Sequence, residues 1–487
     1  MNYKTTIGLE IHAELKTETK MFCYSKNDTE EKSPNVNICP ICMGHPGTLP
    51  TINKEAVKKV LKVGAALGGD LADFSEFDRK NYFYPDIPKG YQISQYKYPL
   101  VKNGSLNGVK ITRVHLEEDT AKSSHDTDDY SLVDFNRAGI PLMELVTEPV
   151  IHSGSEAAEF SKELQLLLRY LGASDANMEK GEMRVEANVS VSESDTFGVK
   201  VEVKNLNSFR AVERAIAYET ERQIAALERG GRVIQETRGW NESRQETFSQ
   251  RMKEESHDYR YFPEPDLPKL KISEIQEFSE ENLRKELPEL PWEKRERMKK
   301  YFGLKNEAVE IYVQDIGMGK FFETAINHLG VELPSQLGSS TPKLDVSVNL
   351  ASNYIISDLS GLLKEKNFSS DELKMDPKDF ARLISMTAKG ELSSRATKDV
   401  LKIMFEEGGD PEEIVKEKGL AQTSDDSFIK NIAEEIIVKN PVAVEEYKKG
   451  KENALQFLVG QGMKLSGGKA NPGVLQKMLK EKLGKNL

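Results

Sequence analysis

From Ile7 to Leu15 apolar and polar residues alternate without a break: Ile7, Leu9, Ile11, Ala13 and Leu15 against Gly8, Glu10, His12 and Glu14. Successive side chains of a β-strand point to opposite faces, so the pattern requires a half-buried strand with one apolar and one polar face. Glu10 and His12 share the polar face. A carboxylate two residues from an imidazole on a rigid strand suits acid–base or metal chemistry. A solvated strand face explains the same pattern, and this segment alone does not choose between the two.

Two further stretches repeat the alternation. Met183 to Val191 carries Arg184, Glu186, Asn188 and Ser190 on its polar face, and Val199 to Asn205 carries Lys200, Glu202 and Lys204. The polar cluster Ser192-Glu193-Ser194-Asp195-Thr196 between them reads as a hairpin turn. An antiparallel sheet with one apolar and one charged face accommodates all three strands. Cross-strand ion pairs explain the charges without any activity; the mixture of Arg, Lys, Glu, His and Asn also suits phosphate and metal handling.

Acids recur between the first strand and this hairpin. One cluster is His115-Leu116-Glu117-Glu118-Asp119, and the other is Glu144 and Glu148 within the apolar run Pro141 to Pro149. Hard divalent cations take oxygen ligands, so scattered Glu residues with one His suit magnesium. Strand parity sets Ile111, Arg113, His115 and Glu117 on one face and Thr112, Val114, Leu116 and Glu118 on the other. Parity alone leaves open which of Glu117 and Glu118 enters a site.

At 487 residues the chain calls for two to four domains. No apolar run approaches the roughly 20 residues of a membrane span, and the start runs straight into a strand with no visible leader, so a cytoplasmic protein is expected. Three Cys argue against a disulfide framework and for a reducing compartment. A net charge of −11 excludes a chain that is basic throughout, so nucleic-acid contact would come from a local patch. Helices are expected near Ser155 to Leu171 and Ser208 to Glu228, the second ending at Gly230-Gly231. Pro288 to Trp292 reads as a linker, and long charged helical stretches follow from about Glu293.

Residues 442 to 487 hold nine Lys against four Glu, with no Arg or Asp, a local charge of +5. Val442, Leu455, Phe457, Leu458, Leu475, Met478 and Leu479 are available for a small helical core, and the lysines for a polyanion. A solvated lysine-rich helix pair is the plainer reading. Cys39-Pro40-Ile41-Cys42, with Cys23 upstream and His45 downstream, makes half of a structural zinc site or three plain thiols. The segment Phe77 to Tyr96 and the stretch Asp258 to Pro263 mix aromatics with basic residues, suited to stacking on bases or to walling a core. There is no P-loop, no nucleophile elbow and no Ser-rich amidase stretch.

Several strings in order are together highly specific: Ile7 to His12, Phe77 to Gln95, His115 to Asp119, Asn136 to Leu142, Lys204 to Phe209, Gln235 to Arg238 and His257 to Pro265. With them the chain resembles, over essentially its whole length, the B subunits of aspartyl/glutamyl-tRNA(Asn/Gln) amidotransferases. The resemblance implies an α+β chain: a mixed or antiparallel-sheet cradle over 1–292, a helical domain over 293–406 and a small helical tail over 407–487. It implies a three-subunit ligase in which an amidase subunit releases ammonia and a small subunit wraps the interface. A chain of this family would bind misacylated tRNA and activate the attached Glu or Asp side chain with ATP and magnesium. Glu10, His12, Glu118 and Glu144 are then the implied magnesium ligands and catalytic set, with Glu117 as neighbour. Lys80, Arg184 and Lys204 are the candidates for holding nucleotide phosphates. The tail would grip tRNA, through Lys448, Lys449, Lys451, Lys464 and Lys469.

One departure concerns zinc. Many members carry C-x-C before the C-x-x-C knuckle, whereas Cys23-Tyr24-Ser25 here leaves Ser25 where a fourth thiolate is expected. Cys23, Cys39 and Cys42 then form a partial zinc site at most, and zinc is expected to be weak or absent. A non-catalytic tRNA-binding scaffold is the competing reading. Whether the substrate is Glu-tRNA(Gln), Asp-tRNA(Asn) or both is left open.

Overall fold

The computed structural model describes residues 3–124, 130–252, 260–331, 346–422 and 426–484, without the side chains of residues 251 and 252. It divides into two compact units, Met1–Pro291 and Trp292–Leu487. The division falls inside the Pro288 to Trp292 stretch. The architecture is α+β, with the sheet in the first unit and helices throughout the second.

The alternating segment at the start forms the strand Lys4–Glu14, which lies in the interior of a ten-stranded sheet. On one side it pairs antiparallel with Pro141–Thr147, and on the other with Met183–Ser192. Outward from these lie Val109–Glu118 on the first side and Val201–Leu206, Glu236–Asn241 and Glu246–Met252 on the second. Met183–Ser192 and Val201–Leu206 are antiparallel neighbours, as the alternation and the intervening turn residues require.

Ile7, Leu9, Ile11 and Ala13 are at most 1% exposed. Burial of each large apolar side chain contributes about 1.5–3 kcal/mol relative to exposure. The helices Gly154–Tyr170 and Phe209–Glu228 pack with these strands and bury Phe160, Leu164, Leu167, Val212 and Ile216. Ser153 and Ser208 cap them by accepting backbone N–H groups of Glu156 and Ala211. The second helix ends before Gly230, whose φ of +72° is the left-handed conformation glycine adopts freely. The two helices approach so closely at Gly154 that a Cβ there would overlap the Glu213 carbonyl oxygen.

With its other face covered, the polar face of the sheet is left to carry the charged residues. Glu148 lies just past the end of the strand Pro141–Thr147 and does not join Glu144. Glu148 instead accepts the Thr112 hydroxyl at 2.7 Å.

The second unit is helical. Its last four helices, Asp426–Lys439, Pro441–Lys448, Glu452–Leu465 and Pro472–Gly484, share a core of Ile429, Ile432, Ile436, Leu455, Leu458, Leu475, Leu479 and Leu483. Val442 and Phe457, expected in that core, are exposed, because their neighbours Ala443, Val444, Leu455 and Leu458 take the inward positions. No helix among the described residues is long and apolar enough to cross a membrane.

Candidate active site

Three strands bring the acids and imidazoles together by register. His12 lies opposite Glu144 on one neighbour and Arg184 on the other, and Glu144 lies opposite His115 on the next strand out. Glu144 is the centre of the set. Its Oε2 is 3.4 Å from His12 Nε2 and 3.3 Å from His115 Nε2, and its Oε1 is 3.5 Å from Arg113 Nη2. Glu117 Oε1 stands 3.7 Å from His12 Nε2, while Glu117 Oε2 accepts the Ser94 hydroxyl at 3.1 Å.

Strand alternation separates the two neighbouring acids. Glu117 faces His12 and Glu144, whereas Glu118 turns the other way into an ion pair with Lys89 and accepts the Ile93 backbone N–H at 2.9 Å. Potential ligand atoms lie within 4.8 Å of one another in two overlapping groups, Glu10–His12–Glu144 and His115–Glu117–Glu144. Glu118 belongs to neither. The structure thus brings Glu10, His12 and Glu144 together and sets Glu117, not Glu118, on their face. Its additional members, His115, Arg113 and Glu117, fall on the single strand face that the parity of Val109–Glu118 marks out, so the signal was present in the sequence.

The electrostatics follow from burial of like charges. Burial, then the charges of Glu144 and Glu186, hold the Glu10 carboxyl above its ordinary range. Burial works against a charged His12, but the hydrogen bond and charge of Glu144, with Glu117 and Glu186, outweigh it and push His12 up to about 9. Burial opposes the Glu144 carboxylate too, yet His115 and His12 hold it well below the usual range. Burial likewise opposes charge on Lys80, and the carboxylate of Glu117 more than compensates. A proton on His12 therefore does the work of a cation among crowded carboxylates.

The donor set fits a divalent ion. Several buried carboxylates repel one another, the buried His115 Nδ1 has no hydrogen-bond partner among the described residues, and the ligand atoms converge. Glu10, His12, Glu117 and Glu144 would hold the ion, and its binding would displace the His12 proton. A cavity of about 170 Å³ opens on this face, lined among others by Glu10, His12, Lys80, Glu117, Arg184 and Lys204. Arg184 pairs with Asp119, and Lys204 lies 2.9 Å from Glu186 and 3.7 Å from Glu202. The three cations therefore border one cavity with the acids.

Comparison with known proteins decides the family. The model of the GatB/GatE catalytic domain matches residues 5–277, and that of the GatB domain matches residues 340–483. The chain belongs to this family. A relative from Thermodesulfovibrio yellowstonii is 45% identical over 98% of this chain and 99% of its own length. Relatives from Crocosphaera subtropica and Moorella thermoacetica are 43% and 45% identical over 99% of this chain and 97% and 100% of their own. All three are named as B subunits of aspartyl/glutamyl-tRNA(Asn/Gln) amidotransferase.

The remaining residues singled out from the sequence lie elsewhere. The Sγ atoms of Cys23, Cys39 and Cys42 form a third close group, close enough to share a metal, and His45 is not part of it. Ser25 Oγ is 3.9 Å from Cys42 Sγ, so the serine does stand at the cluster. The aromatic stretch divides: Phe77 is buried against Phe22, while Phe83 and Tyr84 are 91% and 65% exposed. Tyr96 stacks on Tyr261 with ring centroids 4.3 Å apart; residues 257–259 lie outside the described residues. Lys448, Lys449, Lys451, Lys464 and Lys469 are all exposed, with Lys451 paired to Glu446 at 2.7 Å and Lys449 to Glu445 at 3.7 Å.

Proposed function

We propose that this chain binds misacylated Glu-tRNA(Gln) or Asp-tRNA(Asn), transfers the γ-phosphoryl group of ATP to the side-chain carboxylate, and lets ammonia displace the phosphate. The observation that carries the reading is the convergence of His12 and His115 on Glu144, with Glu10 and Glu117 beside them and three cations on the same cavity. Phosphoryl transfer to a carboxylate joins two anions, so it demands fixed positive charge at the moving oxygens. Lys80, Arg184 and Lys204 supply such charge. A divalent ion held by the Glu10, His12, Glu117 and Glu144 set, which we take to be magnesium, would supply further positive charge for this chemistry. Phosphorylation of the carboxylate forms an O–P bond and releases ADP. Ammonia then attacks the acyl carbon, the C–O bond breaks, inorganic phosphate leaves, and the attacking nitrogen gives up a proton.

Ammonia reaches this chain from an amidase subunit in the same reading, with a small subunit completing the complex. The absence of amidase motifs from the sequence agrees with that division. The three-part organisation at 292/293 and 406/407, tRNA binding by the lysine-rich tail and a cytoplasmic location complete the proposal. The test uses the assembled complex, with ammonium chloride in place of glutamine. Phosphate release should require ATP, magnesium and misacylated tRNA together. Release that ignores the aminoacyl group would refute carboxylate activation and favour a scaffold.

A further inference from the structure

Beside the acidic cavity lies a charged cluster in which Arg184, one of the nucleotide candidates, shares a carboxylate with Arg137, which is not one of them. Its centre is Asp119, whose side chain is 2% exposed and which follows directly on the strand Val109–Glu118. Two guanidinium groups bear on this one carboxylate. Arg137 Nε lies 3.2 Å from its Oδ2, and Arg184 donates to both of its oxygens. The Thr120 backbone N–H donates to Oδ1 at 2.8 Å.

The backbone fixes this arrangement from both sides. Asp119 N–H donates to the Ile140 carbonyl and Gly139 N–H to the Asp119 carbonyl, at 2.8 and 2.9 Å. The turn closes through Ile140 N–H to Arg137 O, with Gly139 at a φ of +86° that favours glycine. Arg137 also donates from Nε to the Thr120 carbonyl at 3.2 Å. Arg184 comes from the opposite direction, on the strand Met183–Ser192 and opposite His12 in register. The arginine side chains remain 30% and 34% exposed although their shared anchor is buried. Asp119, Thr120 and Arg184 all line the cavity that holds Glu10 and His12.

The cluster sets two arginines from separate segments against two buried acids: Arg184 Nη2 also lies 3.6 Å from Glu14 Oε1 and its Nε donates to the Gly181 carbonyl at 3.4 Å, while Arg137 reaches Asp119 from the turn before Gly139. Arg184 carries the cluster to the cavity. An arginine edge fixed by one carboxylate presents its remaining N–H groups in a defined direction, which is how guanidinium groups recognise oxyanions.

We propose that Asp119 is a positioning residue for the amidation reaction, holding Arg137 and Arg184 side by side so that together they receive a substrate oxyanion. This rests on the function proposed above. The oxyanion is either a phosphate of ATP or the carboxylate of the aminoacyl group, which share the chemistry that a guanidinium pair reads.

The test compares wild type with Asp119→Asn and Arg137→Ala in the assembled complex, with ammonium chloride as donor. Asp119→Asn should lower kcat about 100-fold through misplacement of the two cations. A raised KM for ATP assigns the pair to phosphate, and a raised KM for misacylated tRNA assigns it to the carboxylate. Added guanidinium ion should restore Arg137→Ala while Asp119 is intact, and should not restore the double variant with Asp119→Asn. A merely structural Asp119 would not control that rescue. Asp119→Asn within about 3-fold of wild type in kcat and both KM values would overturn the proposal. So would a loss in Arg137→Ala that guanidinium leaves unrestored whether or not Asp119 is present. If Asp119→Asn fails to fold, rescue of Arg137→Ala alone carries the decision. A wild-type complex that forms no amidated tRNA would refute the proposed function, and this assignment with it.

Discussion

His12 and Glu144 oppose each other on adjacent antiparallel strands, with Nε2 3.4 Å from Oε2. Both are held by sheet hydrogen bonds rather than by loops. The geometry of the pair is thus as rigid as the sheet itself, which suits a set of groups that must converge on one ion.

Removal of the central carboxylate should separate chemistry from assembly. Glu144→Gln and Glu10→Gln are each expected to abolish amidation of misacylated tRNA, even with free ammonia. Complex formation and tRNA binding should persist, since neither change touches the apolar face. A normal ammonia-dependent rate in both variants would make these carboxylates structural.

The two neighbouring acids should differ in kind. Glu117→Gln removes a group that faces His12 and should reduce ammonia-dependent amidation about 100-fold, within the range for loss of one preorganised polar group. Glu118→Gln breaks a buried ion pair and leaves Lys89 uncompensated, a loss of about 3–5 kcal/mol. Thermal denaturation should therefore show the larger drop in Tm for Glu118→Gln. Equal losses of stability in the two variants would contradict the opposed orientation of the pair.

Stability should depend on pH through His12. Its folded value of about 9 lies above the unfolded 6.5, so its pairing is fully stabilising below pH 6.5 and is lost as pH rises through about 9. The amount at stake is on the order of 3 kcal/mol. In magnesium-free buffer the Tm should fall across this window, and Glu144→Gln should flatten the fall. An identical slope in wild type and variant would show that Glu144 does not hold the proton on His12.

Zinc content should follow Ser25. Metal analysis of the wild type should find little or no chelator-resistant zinc. Ser25→Cys adds a fourth thiolate next to Cys42 and should yield a stoichiometric zinc site. Stoichiometric zinc in the wild type would mean that three thiols suffice.

The lysine-rich tail should matter for RNA alone. Deletion from Glu407 onward should weaken tRNA binding and its dependence on salt while glutamine hydrolysis by the complex continues. Unchanged affinity would remove the tail from the RNA interface.

Much of the site was legible because strand alternation is a local property. Ile7 to Leu15 fixed the shared face of Glu10 and His12, and the parity of Val109–Glu118 grouped Arg113, His115 and Glu117. The choice between Glu117 and Glu118 was not legible, since it depends on which face of that strand meets Lys4–Glu14. Glu148 falls just past the end of Pro141–Thr147, and the apolar run that continues to Pro149 does not mark where that strand stops. Asp119 escaped notice as a hub because Arg137 and Arg184 lie 18 and 65 positions away in sequence, joined to it only through a turn and a sheet register.

The strand Lys4–Glu14 is made before either of its partners, Pro141–Thr147 and Met183–Ser192. Its apolar side chains have no strand partner until residues 141–147 have followed, and only one until residues 183–192 have. Such long-range pairing folds slowly and leaves a sticky edge open meanwhile. Substitutions that weaken the strands near residues 141–147 or 183–192 should thus reduce the soluble yield of newly made protein before they affect the finished enzyme.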